Sequence, residues 1–298
     1  MPVADLVKTT ANLIKQDSIC EAQPFLKWAG GKSQLLNHLI EHVPVDFNKY
    51  IEPFLGGGAL FFELNPDSAV ISDANEELIN TYQVVKTEVE NLIDRLSNFD
   101  YSEDHYYAVR ALDISRLNSV ERAARFIFLN KTCFNGLYRV NKKGQFNVPF
   151  GKAKNPNFCP ENKLRVCSLA LQNTVIECGD YKDILTKYAE EKDFIYVDPP
   201  YHPVSIYSDF KRYTKDYFYP EDQIALRDML MTLKERGCYI LASNSYCDFI
   251  CELYKGFAIK KVEARRYINC IGSKRGSVNE VIIVGNVPLT PSKRLASL

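Results

Sequence analysis

The sequence predicts an α/β fold built on a mainly parallel sheet with helices on both faces. Six short apolar runs each lead directly into turn or polar residues, which is typical of buried strands. Stretches with helical periodicity lie between these runs, and strands that alternate with helices favour parallel pairing. The alternation stops between residues 86 and about 168, so the 298 residues form a core domain with an insertion.

The predicted elements follow in chain order. The expected strands are 50–54, 69–72, 174–177, 194–197, 239–242 and 280–284. Helices are expected at 76–85 and 220–236, the latter with Leu226, Met229, Leu230 and Leu233 on one face. In a parallel sheet, ligands bind at the carboxyl ends of the strands, so the polar residues that follow these runs are the candidate site residues.

The insertion carries a concentration of positive charge. It contains helical stretches at 89–97 and 120–129, followed by an aromatic, Asn-rich section at 132–158. The whole chain is neutral, with 37 basic and 37 acidic residues. Between Arg125 and Arg165, however, Glu161 alone opposes nine basic residues: Arg125, Lys131, Arg139, Lys142, Lys143, Lys152, Lys154, Lys163 and Arg165. The charge alone favours an ordinary solvated face, with a local surface for nucleic acid as the alternative.

The predicted domain division follows from these patterns. A core domain spans 24–85 and 169–287, an inserted domain spans 86–168, and tails cover 1–23 and 288–298. No segment has the roughly 18 apolar residues of a membrane span, and without an export signal we expect a cytoplasmic protein. The nine cysteines are odd in number and lack a Cys-x-x-Cys pair, so we expect reduced thiols and assign no metal site.

Gly30-Gly31-Lys32-Ser33 looks like the end of a phosphate-binding P-loop. That motif needs a glycine at position 26 and a buried strand before it. Leu26 stands there instead, and residues 17–24 are polar. A nucleoside triphosphatase is therefore disfavoured.

A glycine turn and an acid indicate a nucleoside-type cofactor. Gly56, Gly57 and Gly58 follow the first strand, where they allow positive φ angles and close approach of a ligand. Asp73 ends the next strand, where a carboxylate accepts both ribose hydroxyls. A tight turn followed by a helix-capping Asp is the alternative.

Asp198-Pro199-Pro200-Tyr201 ends a strongly apolar strand. The two prolines hold the backbone extended, which leaves the Pro199 carbonyl and the Asp198 carboxylate as neighbouring acceptors. Two such acceptors suit an exocyclic amino group, and Tyr201 offers a face for stacking a base. An ordinary strand-ending turn is the alternative.

Taken in order, five motifs resemble those of the Dam-type N6-adenine DNA methyltransferases, which act on GATC with S-adenosylmethionine. The motifs are LKWAGGK, EPFLGGG, the Asp73 strand end with ANEELINTY, FNGLYRVNKKGQFNVPFG and DPPY. Their order is that of the alpha group, and the resemblance covers about residues 24–284. It implies a seven-stranded, Rossmann-like S-adenosylmethionine-dependent methyltransferase fold with a mostly helical target-recognition insertion.

The resemblance also implies roles for individual residues. The catalytic residues would be Asp198, Pro199 and Tyr201, which would hold a flipped adenine. The cofactor would contact Trp28, Lys32, Phe54, Gly56, Gly58, Asp73, Asp180 and Asp198. Double-stranded DNA would contact Lys27, Arg110, Phe134, Asn135, Leu137, Arg139, Asn141 and Asn147. Among these, Phe134 and Asn135 would enter the duplex, Lys27, Leu137 and Arg139 would read bases, and Arg110, Asn141 and Asn147 would touch phosphates.

The expected reaction is direct transfer of a methyl group to N6 of adenine, without a covalent enzyme intermediate. One departure from the relatives lies after DPPY, where Phe210-Lys211-Arg212-Tyr213-Thr214 replaces a Phe-Thr-x-Tyr-Thr string. The remaining rivals are methylation of RNA adenine or of cytosine N4, a P-loop enzyme, and a DNA-binding module without catalysis. The sequence indicates no obligate protein partner. It leaves open whether a restriction endonuclease with the same site accompanies the enzyme.

Overall fold

The protein folds around one seven-stranded sheet with the strand order β3-β2-β1-β4-β5-β7-β6. This is a computed structural model, and it describes residues 21–203, 218–265 and 277–287. Most of both predicted tails, Cys20, Cys270 and the 210–214 departure lie outside the described residues. The strands are β1 (Tyr50–Glu52), β2 (Ala69–Asp73), β3 (Thr174–Cys178), β4 (Phe194–Val197), β5 (Tyr239–Ser245), β6 (Ala258–Arg265) and β7 (Ser277–Gly285).

Strand pairing confirms the predicted mainly parallel sheet. The neighbours from β3 through β2, β1 and β4 to β5 all pair in parallel. Strand β7 runs antiparallel between β5 and β6. The predicted α/β fold with seven strands is therefore confirmed, and six of the strands lie where the apolar runs predicted them.

Strand β6 was missed because its sequence lacks a continuous apolar run. It lies at the sheet edge, where Lys260 and Lys261 are exposed and Val262 is buried. Edge strands commonly carry such charges, because these charges discourage pairing with a further chain. The resulting pattern resembles that of a surface loop.

The helices cover both faces of the sheet. The predicted helices at 76–85, 89–97, 120–129 and 220–236 are present with small shifts at their ends, and several further helices were not predicted. Asn118 and Glu121 form a capping box at the start of Ser119–Thr132. The α-helices are Leu36–Ile40, Ala59–Leu64, Glu76–Thr87, Val89–Ser97, Glu103–Ala111, Ser119–Thr132, Glu161–Ala170, Tyr181–Tyr188, Pro220–Glu235 and Asp248–Leu253.

Two apolar clusters lie on opposite faces of the sheet. Successive strand residues point to opposite faces, so Tyr50 belongs to one cluster and Ile51 to the other. The first cluster also contains Phe128 from the insertion, whose helix Ser119–Thr132 packs on Glu76–Thr87. The insertion therefore shares a core with this face, and its treatment as a domain of 86–168 stays a prediction.

No helix in the described parts of the chain is both long enough and apolar enough to cross a membrane.

Candidate functional site

The carboxyl ends of three parallel strands bring polar side chains to one edge of the sheet. Asp73 ends β2, Asp198 directly follows β4, and Ser243 lies in the last part of β5. The register pairs Val197 with Ala242, so the residues that follow this pair are neighbours. This is the edge at which the sequence predicted the site.

Asp198 is held on both carboxylate oxygens. The Nζ atom of Lys32 lies 2.8 Å from Oδ2, and the Ser243 hydroxyl donates to Oδ1 at 2.7 Å. The hydroxyl oxygens of Tyr196 and Ser243 lie 3.3 Å apart. These contacts fix the orientation of the carboxylate before any substrate binds, which is the property that a positioning catalyst needs.

Tyr201 closes the other side of this centre. Its hydroxyl donates to Oε2 of Glu280 at 2.7 Å, and Nζ of Lys32 lies 4.6 Å from its ring centroid. Burial and the nearby Asp198 charge hold the pKa of Tyr201 well above its usual value. The ring therefore stays a neutral stacking surface at physiological pH.

The glycine turn after β1 makes room for Trp28. A Cβ atom at Gly56 would lie 2.6 Å from Cδ1 of Trp28, and Gly56 has a φ of +49°. Gly58 has a φ of +65°, and a Cβ there would meet the hydroxyl of Tyr82 at 3.0 Å. The predicted close approach at Gly56 is thus made by a side chain of the protein, because the indole lies against the turn.

Trp28 is part of an aromatic stack that joins the core domain to the insertion. Its ring stacks on Tyr138 with centroids 5.5 Å apart and on Phe126 at 6.3 Å. Trp28 and Tyr138 are half-buried and Phe126 is buried, and the predicted contact of Trp28 with the cofactor stays a prediction.

Asp73 ties the glycine turn to the following helix. Its Oδ2 accepts from the Gly56 N–H at 3.0 Å and its Oδ1 accepts from the Asn75 N–H at 2.9 Å. Asn75, not Asp73, caps the helix Glu76–Thr87 through the Leu78 N–H. Burial raises the pKa of Asp73, while the backbone hydrogen bonds oppose that rise.

An aromatic floor with an acid beside it lies next to the glycine turn. The Phe54 ring lies 5.2 Å from that of Tyr181 and 6.0 Å from that of Phe218. Asp180 is exposed and caps the helix Tyr181–Tyr188 by accepting from the Lys182 N–H. Aromatic faces with an acceptor at their rim suit a purine and its amino group.

These residues fit S-adenosylmethionine by their chemistry. Asp73 retains lone pairs for ribose hydroxyls, and Phe54 with Asp180 offers a place for the adenine. Lys32 and Asp198 provide one cationic and one anionic group, which match the carboxylate and ammonium of the methionine part. Lys32 itself begins a short 3-10 helix without a preceding strand in the described residues, so it is not part of a P-loop.

Glu52 is a buried carboxyl group at the end of β1 that the sequence analysis did not identify. It is 2% exposed, and it accepts a hydrogen bond of 2.8 Å from the Tyr50 hydroxyl. Burial holds its pKa well above the usual value, the Tyr50 hydrogen bond opposes that rise, and the charge of Asp198 adds to it. A protonated Glu52 avoids a further negative charge beside Asp198 and Asp73.

Lys27 is fastened to the insertion through its backbone. Asn130 accepts from the Lys27 N–H at 2.8 Å and donates to its carbonyl at 2.7 Å. The aliphatic stem of Lys27 lies on Gly136, where a Cβ would come within 2.4 Å of it. The exposed ammonium of Lys27 is thereby placed beside the Phe134-Asn135-Gly136 turn.

The turn itself presents its first two residues outward. Phe134 is 48% exposed, which is unusual for a large aromatic side chain. Asn135 is exposed and has a φ of +56°. Leu137 directly follows and is half-buried.

Arg139 is oriented by Asn147 across a short hairpin. Its Nε donates to Oδ1 of Asn147 at 2.8 Å and its Nη2 lies 3.2 Å from the Asn147 carbonyl. Asn141 builds the hairpin turn by accepting from the N–H groups of Lys143 and Gln145. Both asparagines that were predicted as phosphate contacts thus have structural hydrogen bonds, and their DNA contacts stay predictions.

The side chains at the two ends of the basic stretch are hydrogen-bonded within the protein. Arg125 is buried and donates to the carbonyls of Val109 and Arg110. Arg165 pairs with Glu90 and Glu161. Arg110 donates to the Val148 carbonyl at 3.0 Å. The charge that remains for a ligand therefore lies in the middle of the stretch, around Arg139, Lys142 and Lys143.

Several residues at the site were missed by the sequence analysis. Ser243 and Asn244 directly follow the predicted strand 239–242, and this position was the available signal. Nothing local marks Gln223, Glu280 or Asn130, since each acts on a residue that is distant in sequence.

This chain is similar to one known protein family and to several individual proteins. A family described as D12 class N6 adenine-specific DNA methyltransferase matches residues 28–268. The chain is 45% identical to a protein of Methanocaldococcus jannaschii called type II methyltransferase M.MjaIII, over 89% of this chain and 99% of that protein.

Two further relatives cover similar lengths. A type II methyltransferase of Lactococcus lactis subsp. cremoris, M1.LlaDCHI, is 44% identical over 91% of this chain and 98% of its own. A protein of Haemophilus influenzae called DNA adenine methylase is 36% identical over 88% of this chain and 93% of its own.

Proposed function

The chain belongs to the D12 class of N6-adenine-specific DNA methyltransferases, and from that premise we propose that it methylates the adenine of 5′-GATC-3′ in duplex DNA. It is an enzyme, and its methyl donor is S-adenosylmethionine. The recognition sequence, the flipping of the base and the roles of individual residues belong to the proposal.

The fixed carboxylate of Asp198 carries the proposal. Lys32 and Ser243 hold its two oxygens, and Tyr201 presents a neutral ring beside it. No hydrogen bond among the described residues uses the Pro199 carbonyl, which leaves this oxygen as a second acceptor. The two acceptors orient the amino group of adenine while the base stacks on Tyr201.

Accepting both N–H bonds of N6 gives catalysis a physical basis. It draws the nitrogen towards tetrahedral geometry and exposes the lone pair that is otherwise delocalised into the ring. S-adenosylmethionine, when bound, supplies an activated methyl group on its sulfonium. Asp198 then receives the proton that N6 loses when the new carbon–nitrogen bond forms, so no covalent enzyme intermediate is needed.

The cofactor is held by residues from three strand ends. Asp73 receives the ribose hydroxyls, Phe54 and Asp180 receive the adenine, and Lys32 with Trp28 forms the wall at the methionine end. Gly56 and Gly58 shape the turn under this wall. The support for this arrangement is that these groups converge on the carboxyl edge of the sheet.

The insertion supplies the DNA surface. Reaching N6 within a duplex requires unstacking of the adenine, which costs a few kcal/mol. Phe134 and Asn135 are exposed, and they are suited to entering the duplex at the space that the unstacked adenine leaves. Arg139 reads a guanine through a bidentate contact, Lys27 reads the outer guanine, and the remaining basic residues bind phosphates. The resemblance of the five motifs to those of the GATC-methylating family supports GATC as the site.

Sequencing of methylated DNA tests the proposal directly. DNA from cells that express the protein should carry N6-methyladenine in GATC and nowhere else above background. The same DNA should resist an endonuclease that cuts only unmethylated GATC. Methylation in another four-base context overturns the proposed specificity, while methylated RNA or cytosine N4 overturns the proposed substrate. A cognate endonuclease would be detected by its cleavage of DNA that is prepared from cells without the protein.

A further inference from the structure

Strand β5 ends in Ser243-Asn244-Ser245, and all three side chains contact the Asp198–His202 loop. Ser243 holds Oδ1 of Asp198, as described above. The Ser245 hydroxyl donates to the His202 carbonyl at 2.7 Å. Asn244 Oδ1 accepts from the His202 N–H at 3.2 Å. The carboxyl end of strand β5 thus makes hydrogen bonds to both ends of the loop.

A second amide side chain makes a hydrogen bond to the middle of the loop. Gln223, from the helix Pro220–Glu235, donates through Nε2 to the Pro200 carbonyl at 2.8 Å. Its Oε1 accepts from Nδ2 of Asn244 at 3.0 Å. Gln223 and Asn244 therefore form a two-amide relay that runs from the Pro200 carbonyl to the His202 N–H.

The direction of this relay is determined by its two ends. A carbonyl only accepts, so Gln223 must present its amide nitrogen to Pro200 and its oxygen to Asn244. Asn244 must then donate to Gln223 and use its own oxygen for the His202 and Ser245 N–H groups. A carboxylate at either position lacks the donor that the relay needs.

The composition of the loop explains why it needs such support. Pro199 and Pro200 have no N–H groups, so the loop has few backbone donors with which to hold its own shape. Gln223 and Asn244 are each 1% exposed, although a buried amide is costly unless its hydrogen bonds are made. Their placement is thus accounted for by the loop that they bind.

We propose that Gln223 and Asn244 are positioning residues for methyl transfer, which act by holding the Pro199–Pro200 backbone and thereby aiming the Pro199 carbonyl at N6. This inference rests on the proposed roles of Asp198 and Pro199. Neither amide touches the substrate in this scheme. A small displacement of the acceptor pair lowers the rate, because the reaction depends on alignment.

Single-turnover methylation of a GATC duplex at saturating cofactor is the test. Gln223→Leu keeps the side-chain bulk but loses both hydrogen bonds, and Gln223→Glu keeps the acceptor but loses the donor. We expect both variants, and Asn244→Asp, to lower the rate constant by roughly 10- to 100-fold. Calorimetric affinity for S-adenosylmethionine should stay within about twofold of wild type, since the relay makes its hydrogen bonds to Pro200, His202 and Ser245 and to none of the cofactor residues named above.

A double substitution shows whether the two amides act as one device. Gln223→Leu with Asn244→Leu should lose no more than the worse single variant, because breaking either link already frees the loop. Leu230→Ala is the control, since it removes core packing from the same helix and leaves the hydrogen-bonding groups of the relay in place. At a temperature where all variants are folded, its rate should stay near that of wild type.

The outcomes separate this inference from the proposed function. If Asp198→Ala abolishes transfer while Gln223→Leu and Gln223→Glu retain the wild-type rate, the positioning role is wrong and the proposed site stands. If Asp198→Ala itself turns over normally, the proposed site is wrong. If the rate losses match that of Leu230→Ala, the relay contributes only to stability. The same conclusion follows if the losses of the two single variants add fully in the double variant.

Discussion

Nζ of Lys32 lies 2.8 Å from Oδ2 of Asp198, which brings the N-terminal glycine segment to the end of strand β4. The same nitrogen donates to the Gly30 carbonyl at 2.6 Å and lies over the Tyr201 ring. Lys32 is 7% exposed, so water screens this ion pair only weakly. One short segment thus links the N-terminal glycines with both Asp198 and Tyr201.

Lys32→Met should lower the methyl-transfer rate constant by roughly 10- to 100-fold. A hydrogen bond to a charged group contributes about 1.5–3 kcal/mol, and its loss lets the Asp198 carboxylate turn. Lys260→Met is the matched control, because its ion pair with Glu41 is largely exposed and adds little. Single-turnover assays on both variants check the prediction, and equal rates would contradict it.

Asp198→Ala should abolish methylation while binding of duplex DNA survives. The substitution removes the acceptor for N6 but leaves the surface around Arg139 and Phe134 unchanged. Rate assays and gel-shift titrations of the same preparation measure the two properties. Near wild-type turnover in this variant would refute the mechanism, and a parallel loss of DNA binding would give Asp198 a structural role instead.

Gly56→Ala should destabilise the protein and weaken cofactor binding, because the new Cβ would lie 2.6 Å from the Trp28 ring. Gly144→Ala is a close control, since Gly144 also has a positive φ, of +76°, but nothing lies within 4 Å of its Cβ position. Both variants carry backbone strain of about 1 kcal/mol. Urea unfolding should show a loss in Gly56→Ala that exceeds this by roughly 1–3 kcal/mol. Equal losses would mean that Trp28 moves freely.

Arg139→Ala should relax discrimination at one guanine by about 1–3 kcal/mol. Lys143→Ala, in the same hairpin, should weaken cognate and scrambled duplexes equally, because a phosphate contact carries no sequence information. Binding titrations with duplexes substituted at each base pair measure both effects. Equal losses for Arg139→Ala on all duplexes would reassign this residue to the phosphates.

Asn147→Ala should share the base-specific effect of Arg139→Ala in weaker form. Asn147 holds the guanidinium through Oδ1 at 2.8 Å and so limits the directions in which Arg139 can point. Base-pair substitution titrations again provide the measurement. A uniform loss across all duplexes would instead support the phosphate contact expected from the sequence.

Glu52→Gln should change how the free energy of unfolding depends on pH. Burial raises the folded-state pKa of Glu52 above the ordinary 4.5, so the folded protein binds more protons than the unfolded chain above that pH. The Glu52 contribution is therefore present at low pH and is lost as pH rises towards the folded pKa. In the glutamine variant this loss is absent. The difference between the free energies of unfolding of the two proteins therefore changes by up to about 1.4 kcal/mol per pH unit. The free energy of unfolding of both proteins is measured by urea titration from pH 5 to 8. The same dependence on pH in the two proteins would contradict the prediction.

Much of the fold follows from local patterns in the sequence. Residues 194–197 are apolar because the strand is buried on both faces, and DPPY must then lie at the carboxyl edge of the sheet. Asp73 could be placed at the same edge by the same reasoning. Strand β6 escaped detection because Lys260 and Lys261 interrupt its apolar pattern at the sheet edge.

The pairing of side chains was decided by the tertiary structure alone. The sequence determined six of the strands and the polar residues at their ends, since these depend on hydrophobic periodicity and residue type. It did not indicate that Ser243 holds Asp198, that Glu280 holds Tyr201, or that Trp28 fills the space above Gly56. Those contacts depend on strand register and on the return of distant segments to one edge. Register and chain reversal arise from the packing of the whole sheet, and no short stretch of sequence encodes them.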